Sequence, residues 1–252
     1  MIMARPSSIS KDPPDITLRD ISFGFNHRPL FSSLNFTIKG GQWTCLLGPS
    51  GSGKSTLLRI ISGSLKESVA GEINRGRSKT LVGNVAWMAQ DDLLLPWLKV
   101  VENVCLGARL RGESSPEIRQ RAIMLLKEAG LEECLNALPA ELSGGMRQRV
   151  AVLRTLMEER PVILMDEPFS ALDSLTRLNL QDLAAKLLNQ ATVLLVTHDP
   201  LEALRLGHRI HVMTDRPARI SQELVPPGLP PRDPGQSDIA SLQAELIRRL
   251  RQ

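Results

Sequence analysis

One stretch constrains the fold of this chain more than any other, the run from Trp43 to Gly63, WTCLLGPSGSGKSTLLRIISG. WTCLL is short, apolar and bounded by glycine, as a buried parallel strand would be. Residues 48–56, GPSGSGKST, fit G-x-x-x-x-G-K-[ST], with Gly48, Gly53, Lys54 and Ser55 in the fixed places. Helical spacing follows in LLRIISG. Phosphate oxygens need several N–H donors pointing inward, so such a loop must curl tightly. Glycine allows the positive φ angles and the close backbone approach this requires. The helix that starts near Lys54 adds the positive end of its dipole. Gly48, Pro49, Ser50, Gly51, Ser52, Gly53, Lys54, Ser55 and Thr56 are therefore the candidate phosphate cradle. Lys54 is expected to neutralise the β and γ phosphates, and Ser55 to offer its hydroxyl to Mg²⁺.

Around this unit the chain alternates strands and helices. ITLRDISFGF and SLNFTIKG read as strands, with Gly40-Gly41 as a turn before the third. GEIN and KTLVGNVAWMA read as further short strands. Residues from about 98 to 134 turn helical, broken between Gly112 and Pro116. VILM and TVLLV are buried-strand runs, and residues 173–188 form an amphipathic helix. Apolar, non-alternating strands between helices indicate an α/β fold with a mainly parallel sheet. The Pro-rich VPPGLPPRDPG ends the pattern. A last helix follows, with Ile239, Leu242, Leu246 and Leu250 on one face and Ser237 or Asp238 as its N-cap.

Two further sites follow from strand ends. Open α/β sheets bind ligands at the carboxyl ends of their strands. Asp166 emerges there from VILM and fits a Mg²⁺ partner acting through water. Glu167 is placed to orient and deprotonate an attacking water. His198 follows TVLLVT; it fits either a hydrogen bond to the γ-phosphate or attacking water, or a structural histidine at a strand end. LSGGMRQRV (residues 142–150) puts Ser143, Gly144 and Gly145 at a helix start, a second anion site built from exposed N–H groups and a hydroxyl.

Composition excludes several classes. A chain of 252 residues, 42% hydrophobic and 23% charged, is long enough for one large domain or two small ones and is not disordered by composition. No apolar run approaches the roughly 20 residues that cross a bilayer, and the N-terminal stretch lacks the apolar core of a secretory signal. The net charge of +4 is spread along the chain, so no nucleic-acid partner is expected. Cys45, Cys105 and Cys134 have no metal spacing and read as reduced, mostly buried thiols.

With these motifs in place, the chain resembles the nucleotide-binding subunit of ABC transporters over roughly residues 15–215. GPSGSGKST looks like the Walker A motif, Gln90 the Q-loop glutamine and LSGGMRQRV the signature. VILMDEP looks like the Walker B motif, SALD (residues 170–173) the D-loop and His198 the H-loop histidine. Met146 departs from the glutamine many members carry, and it leaves the Ser143 site intact. The resemblance implies a P-loop NTPase: a RecA-like core, an antiparallel β subdomain and a helical subdomain at about residues 91–147. The implied ATPase domain spans about 15–224, after a flexible segment 1–14 and before a Pro-rich segment and helix at 225–252. It also implies head-to-tail dimers that sandwich two ATP molecules, with Gln90 on Mg²⁺, Glu167 as general base and His198 on the γ-phosphate. Adenine should stack on an aromatic ring of the first strands. The chain has no tyrosine. Phe25 is in register for this role, and Phe23, two residues away on the same face, is the competing ring assigned to the core.

QDDLLLPWLKVVENV and THDPLEALRLGHRI resemble importers of the nitrate, sulfonate and taurine group, which includes importers of a thiamine pyrimidine precursor. That resemblance implies a separate membrane permease, a solute-binding protein outside, and a place on the cytoplasmic face of the cell membrane. Leu93, Leu94, Leu95 and Trp97, beside a proline, fit either the core or a groove for a partner helix; each leucine alone suits both equally, and the cluster favours the groove. The rival class, a non-transport ABC ATPase acting on nucleic acid or ribosomes, usually carries two cassettes or a long coiled coil. The chain has one phosphate loop, one signature and no sustained heptads.

Overall fold

The computed structural model describes residues 13–26, 28–76 and 83–251. The segment expected to be flexible, 1–14, lies outside the described residues except for its last two. So do the first four residues of KTLVGNVAWMA. In chain order the strands and helices are β1 (Ile16–Phe25), β2 (Arg28–Ile38), β3 (Trp43–Leu47), α1 (Lys54–Ser62), β4 (Ala70–Asn74), β5 (Val85–Met88), α2 (Val100–Val104), α3 (Leu106–Leu110) and α4 (Pro116–Glu128). They continue with α5 (Gly144–Leu156), β6 (Val162–Asp166), α6 (Ser174–Leu187), β7 (Thr192–Thr197), α7 (Pro200–Leu206), β8 (Arg209–Thr214), β9 (Arg219–Ile220) and α8 (Ser237–Leu250). The chain folds as two compact units: a helical unit of residues 86–159 and 168–188, and a sheet unit of the described residues in 13–85, 160–167 and 189–251.

The sheet unit holds an antiparallel sheet in the order β2-β1-β4 and a run β6-β7-β3-β8 paired in parallel, which β9 closes antiparallel. In β1 and β2 the alternation of burial is reset at Asp20 and Ser33, both with positive φ. The resets are bulges: register shifts between Leu18 and Ile21, so that Ile16, Leu18, Ile21 and Phe23 all stay buried. Side chains cross-brace the two strands there: the Asp20 N–H donates to Asn35 Oδ1 at 3.1 Å and the Ser33 N–H to Ser22 Oγ at 2.9 Å. By contrast β3, β6 and β7 are buried at every residue, which explains their lack of alternation. Their side chains pack with Leu57, Leu58, Ile60 and Ile61 of α1 and the inner faces of β1 and β2 in one core. Each such side chain contributes about 1.5–3 kcal/mol by burial.

After an antiparallel bridge between Leu224 and Ile210 of β8 the chain leaves the sheet, and Arg232 ties it back. Its guanidinium, almost wholly buried, donates to the carbonyls of Leu204, Gly207, Pro226, Pro227 and Gly228 at 2.7–3.1 Å. Helix α8 then buries Ile239 and Leu246. Its N-cap is Gln236, with no side-chain cap bond, so Ser237 and Asp238 are the first helical residues and neither is the expected cap. The thiols also differ from expectation. Only Cys45 is buried, and burial raises its pKa; Cys105 and Cys134 are half-buried.

In the helical unit, α5 packs against α2, α4 and α6. Helix α4 starts at a Ser115 cap with Pro116 in the first turn, after the predicted break at 112–116. Asn103, fully buried in α2, closes the preceding turn: its Oδ1 accepts from the Leu95 N–H at 2.8 Å, and its Nδ2 donates to the Leu95 and Leu98 carbonyls. Leu94 is tucked in by this turn, whereas Leu93 and Trp97 are exposed, so the apolar quartet expected to act as one cluster divides.

Candidate functional site

The phosphate loop leaves the end of β3, the strand between β7 and β8. Its curl follows from its glycines. Gly51 and Gly53 have φ of +78° and +105°, and an added Cβ on Gly48 would lie 2.5 Å from the Met213 carbonyl oxygen. Gly53, left-handed, is the N-cap of α1 and turns the chain straight into the helix. Lys54, almost fully buried, donates from Nζ to the Gly48 and Pro49 carbonyls at 2.7 and 2.9 Å. Burial lowers its pKa, and the charges of Glu167 and Asp166 oppose the shift. Ser52 Oγ is buried without a partner. An orphaned hydroxyl and a lysine turned onto main-chain oxygens fit a loop built for an anion.

Asp166 ends β6 and is nearly fully buried. An acidic residue close to a metal on the phosphate loop is expected to end a strand neighbouring β3, but Asp166 does not: β7 lies between them. Helix α1 closes the gap, because Ser55 in its first turn hydrogen-bonds the Asp166 carboxyl. Burial raises the Asp166 pKa, with the Ser55 bond pulling the other way. A desolvated carboxylate beside a hydroxyl is a donor set that a hard divalent cation would relieve. Among the described residues no group of three or more His, Cys, Asp or Glu side chains forms a self-sufficient metal cage. The pair instead suits Mg²⁺, which shares its shell with water and phosphate oxygens.

Glu167 has φ +49°, and its N–H donates to the Val196 carbonyl of β7 at 2.9 Å. This left-handed turn swings its carboxylate toward the end of β7, where His198 Nδ1 lies 3.1 Å from Oε2. The sheet unit thus brings the loop, Asp166, Glu167 and His198 to one edge. Phe25, at the end of β1, is 56% exposed, whereas Phe23 is 7% exposed; their rings meet edge to face at 4.8 Å. Phe25 is thus an exposed ring braced by a buried one.

Gln90, Ser143, Gly144 and Gly145 belong to the helical unit. Ser143 caps α5, its Oγ accepting from the Met146 N–H at 3.3 Å. Gly144 and Gly145 fill the first turn, whose N–H groups have no partner within the helix. A Cβ on Gly145 would press on the Ala171 carbonyl at 3.3 Å. Gln90 is exposed. The sequence reading missed how the loop after it is held. Arg147 Nε donates to Asp92 Oδ2 at 2.9 Å, and Arg154 donates to the Asp92 and Leu93 carbonyls at 2.7 and 2.8 Å. Two arginines of α5 therefore fasten residues 92–93. An acidic pair followed by an arginine-rich helix was a signal, but the partners stand 55 or more residues apart.

The profile of the ABC transporter family matches residues 31–170, more than half of the chain. The chain belongs to the ABC transporter family. As an ABC cassette it is an ATPase. It is 44% identical over 241 residues to an uncharacterized ABC transporter ATP-binding protein of Haemophilus influenzae, covering 93% of this chain and 98% of that one. It is 42% identical to the aliphatic sulfonates import ATP-binding protein SsuB 2 of Pseudomonas syringae pv. tomato, over 90% of this chain and 94% of the relative. Among solved structures it matches a dimeric ATP-binding cassette in a post-hydrolysis state bound to ADP and Pi. That match has a TM-score of 0.73 at 33% identity and covers 85% of this chain and all of the other.

Proposed function

We propose that this ABC cassette hydrolyses ATP to power uptake of a small sulfonate or a related organic anion through a separate membrane permease. The observation that carries the chemistry is the pairing at the strand ends: Ser55 on Asp166, and His198 on Glu167, beside a loop with an orphaned hydroxyl. The importer assignment is supported by the relatives, several of which are named aliphatic sulfonates import proteins at 38–42% identity.

In this reading Lys54 leaves the two loop carbonyls for the β and γ phosphates, and the loop N–H groups and Ser52 Oγ take the remaining oxygens. Phe25 stacks on adenine, worth about 1–3 kcal/mol. Ser55 and Asp166 would hold Mg²⁺, with Gln90 as a further oxygen donor; when bound, the ion supplies charge neutralisation at the phosphates. Glu167 accepts the proton of the attacking water, and His198 fixes the carboxylate and donates to the γ-phosphate. No covalent intermediate is needed, since phosphoryl transfer is accelerated by positioning and charge stabilisation. Ser143, Gly144 and Gly145 serve the nucleotide of a second copy, so that a head-to-tail dimer encloses two ATP molecules. The sandwich is supported by the dimeric cassette matched above and by the presence of two separate anion sites on one chain. In this reading the dimer sits on the cytoplasmic face of the membrane, and a solute-binding protein delivers the cargo from outside. Among the described residues no helix is long and apolar enough to cross a membrane.

Tagged Glu167→Gln chain, incubated with MgATP and solubilised membranes, tests the reading. Recovery of an ATP-dependent dimer with a polytopic permease is the expected result. Recovery of ribosomal or DNA-repair proteins without a permease would overturn the transport assignment, and an ATP-bound monomer would overturn the sandwich.

A further inference from the structure

The end of β8 and the turn after it carry none of the nucleotide-binding motifs read from the sequence, yet they grip the phosphate loop. The Met213 carbonyl lies against Gly48, where an added Cβ would meet it at 2.5 Å. Arg216 Nη2 donates to the Gly51 carbonyl at 2.8 Å. The Ala218 N–H donates to the Leu30 carbonyl at 2.7 Å. The Leu30 side chain in turn closes on Gly53, 3.2 Å from where a Cβ would stand. Each glycine of the loop therefore meets the end of β8, the turn after it, or the strand residue tied to that turn.

The Arg216 contact is the one that acts on orientation. A trans peptide unit sends its C=O and its N–H to opposite sides. The unit joining Gly51 to Ser52 is held at both ends, its carbonyl by Arg216 and its N–H by the Pro49 carbonyl at 3.3 Å. Gly51, at φ +78°, has no side chain to resist rotation of that plane. A guanidinium outside the loop, hydrogen-bonded to this carbonyl, holds the Gly51–Ser52 peptide plane and with it the curl of the phosphate loop.

We propose that Arg216 is a positioning residue for nucleotide binding, which fixes the peptide plane of the phosphate loop from outside through Gly51. The inference rests on reading residues 48–56 as the ATP-binding loop. Arg216 is exposed, so its removal leaves the core intact.

MgATP binding by calorimetry, steady-state ATPase kinetics and melting temperature are measured for wild type, Arg216→Ala, Arg216→Lys and Arg219→Ala, with Lys54→Ala as the non-binding control. Arg219 is a neighbouring exposed arginine on β9, so it reports the effect of lost positive charge alone. Loss of one charge-assisted hydrogen bond should raise Kd and KM for MgATP about three- to tenfold. Arg216→Ala should leave kcat within about twofold and the melting temperature unchanged, and Arg216→Lys should recover part of the affinity. An unchanged Kd in Arg216→Ala overturns the proposal, as does an equal loss in Arg219→Ala. A fall in kcat together with melting temperature, unrelieved by lysine, would make Arg216 structural and also overturns it. Wild type binding no better than Lys54→Ala would overturn the reading of the loop itself, and the inference with it.

Discussion

The sheet unit and the helical unit hold their functional residues by different means. In the sheet unit, Asp166 and His198 sit at or just beyond the ends of strands locked in a parallel ladder, as does the residue preceding the phosphate loop. Their positions follow from backbone register. In the helical unit, the loop after Gln90 and the turn before α2 are held by single side chains reaching main-chain oxygens, Arg154 on Asp92 and Leu93 and Asn103 on Leu95 and Leu98, and Gln148 likewise holds Pro168 at 2.9 Å. Substitution at a strand end should therefore remove chemistry and leave the scaffold, whereas substitution of one of these tethers should move a loop.

The largest effect expected on the sheet side comes from Glu167→Gln. Single-turnover hydrolysis should fall by about 10²- to 10⁴-fold, with little change in thermal stability. Equal rates for variant and wild type would refute the general-base assignment. Next comes Arg232→Met, the case that blurs the comparison, because the segment beyond β9 is tethered by a side chain although it belongs to the sheet unit. Five carbonyls would lose their donor. The loss should be about 3–5 kcal/mol of unfolding free energy in urea, and a loss under about 1 kcal/mol would show that the segment holds itself. In the helical unit, Asn103→Ala should cost about 1–3 kcal/mol. Hydrogen exchange should rise at residues 95–99 and stay unchanged in β3; exchange rising equally in both would erase the distinction.

Asp166 offers a sign test. Its folded pKa is raised by burial above the ordinary carboxylate value. The stability that goes with its neutral form is fully present below the unfolded value near 3.8 and is lost as pH rises through the raised folded value. Asp166→Asn should abolish that loss, so the nucleotide-free variant should melt higher than wild type at pH 7 while losing Mg²⁺-dependent ATP affinity. A lower melting temperature would show that the Ser55 bond outweighs desolvation. His208 runs the other way. Burial lowers its pKa, and its Nδ1 accepts from the Trp43 N–H at 3.0 Å. Its stability contribution is present above pH 6.5 and is lost as pH falls through the depressed value. The smallest effect belongs to Asp92→Asn. The Arg147 pair is partly exposed, so screening holds its contribution to about 0.5 kcal/mol. Faster exchange confined to residues 91–94 would be the measurable sign, and its absence would assign the loop to Arg154 alone.

Much of the sheet unit was legible because its signals are local. A run of apolar residues with no alternation can only be buried on both faces, and β3, β6 and β7 are. The glycine spacing of residues 48–56 marks the curl of the loop, whereas strand periodicity puts Phe23 and Phe25 on one face, and only the packing showed that Phe25 is the exposed ring. The helix starts at Ser143 and Asp173 are likewise written in the cap residues, each accepting from the N–H three positions on.

What the sequence determined by itself, then, is the chemistry available at each strand end and helix start, because caps, glycine turns and burial patterns act over a few residues. Only the tertiary structure decided which ends meet. It interposed β7 between the strands of the phosphate loop and Asp166, and let α1 bring Ser55 to that carboxyl. It made Gln236 rather than Ser237 or Asp238 the cap of α8, and gave Arg232 five carbonyls to hold. It set Arg216 on Gly51 across 165 residues of chain. Such contacts join residues remote in sequence, and their hydrogen bonds depend on angles that only the packed core fixes, so no local pattern encodes them.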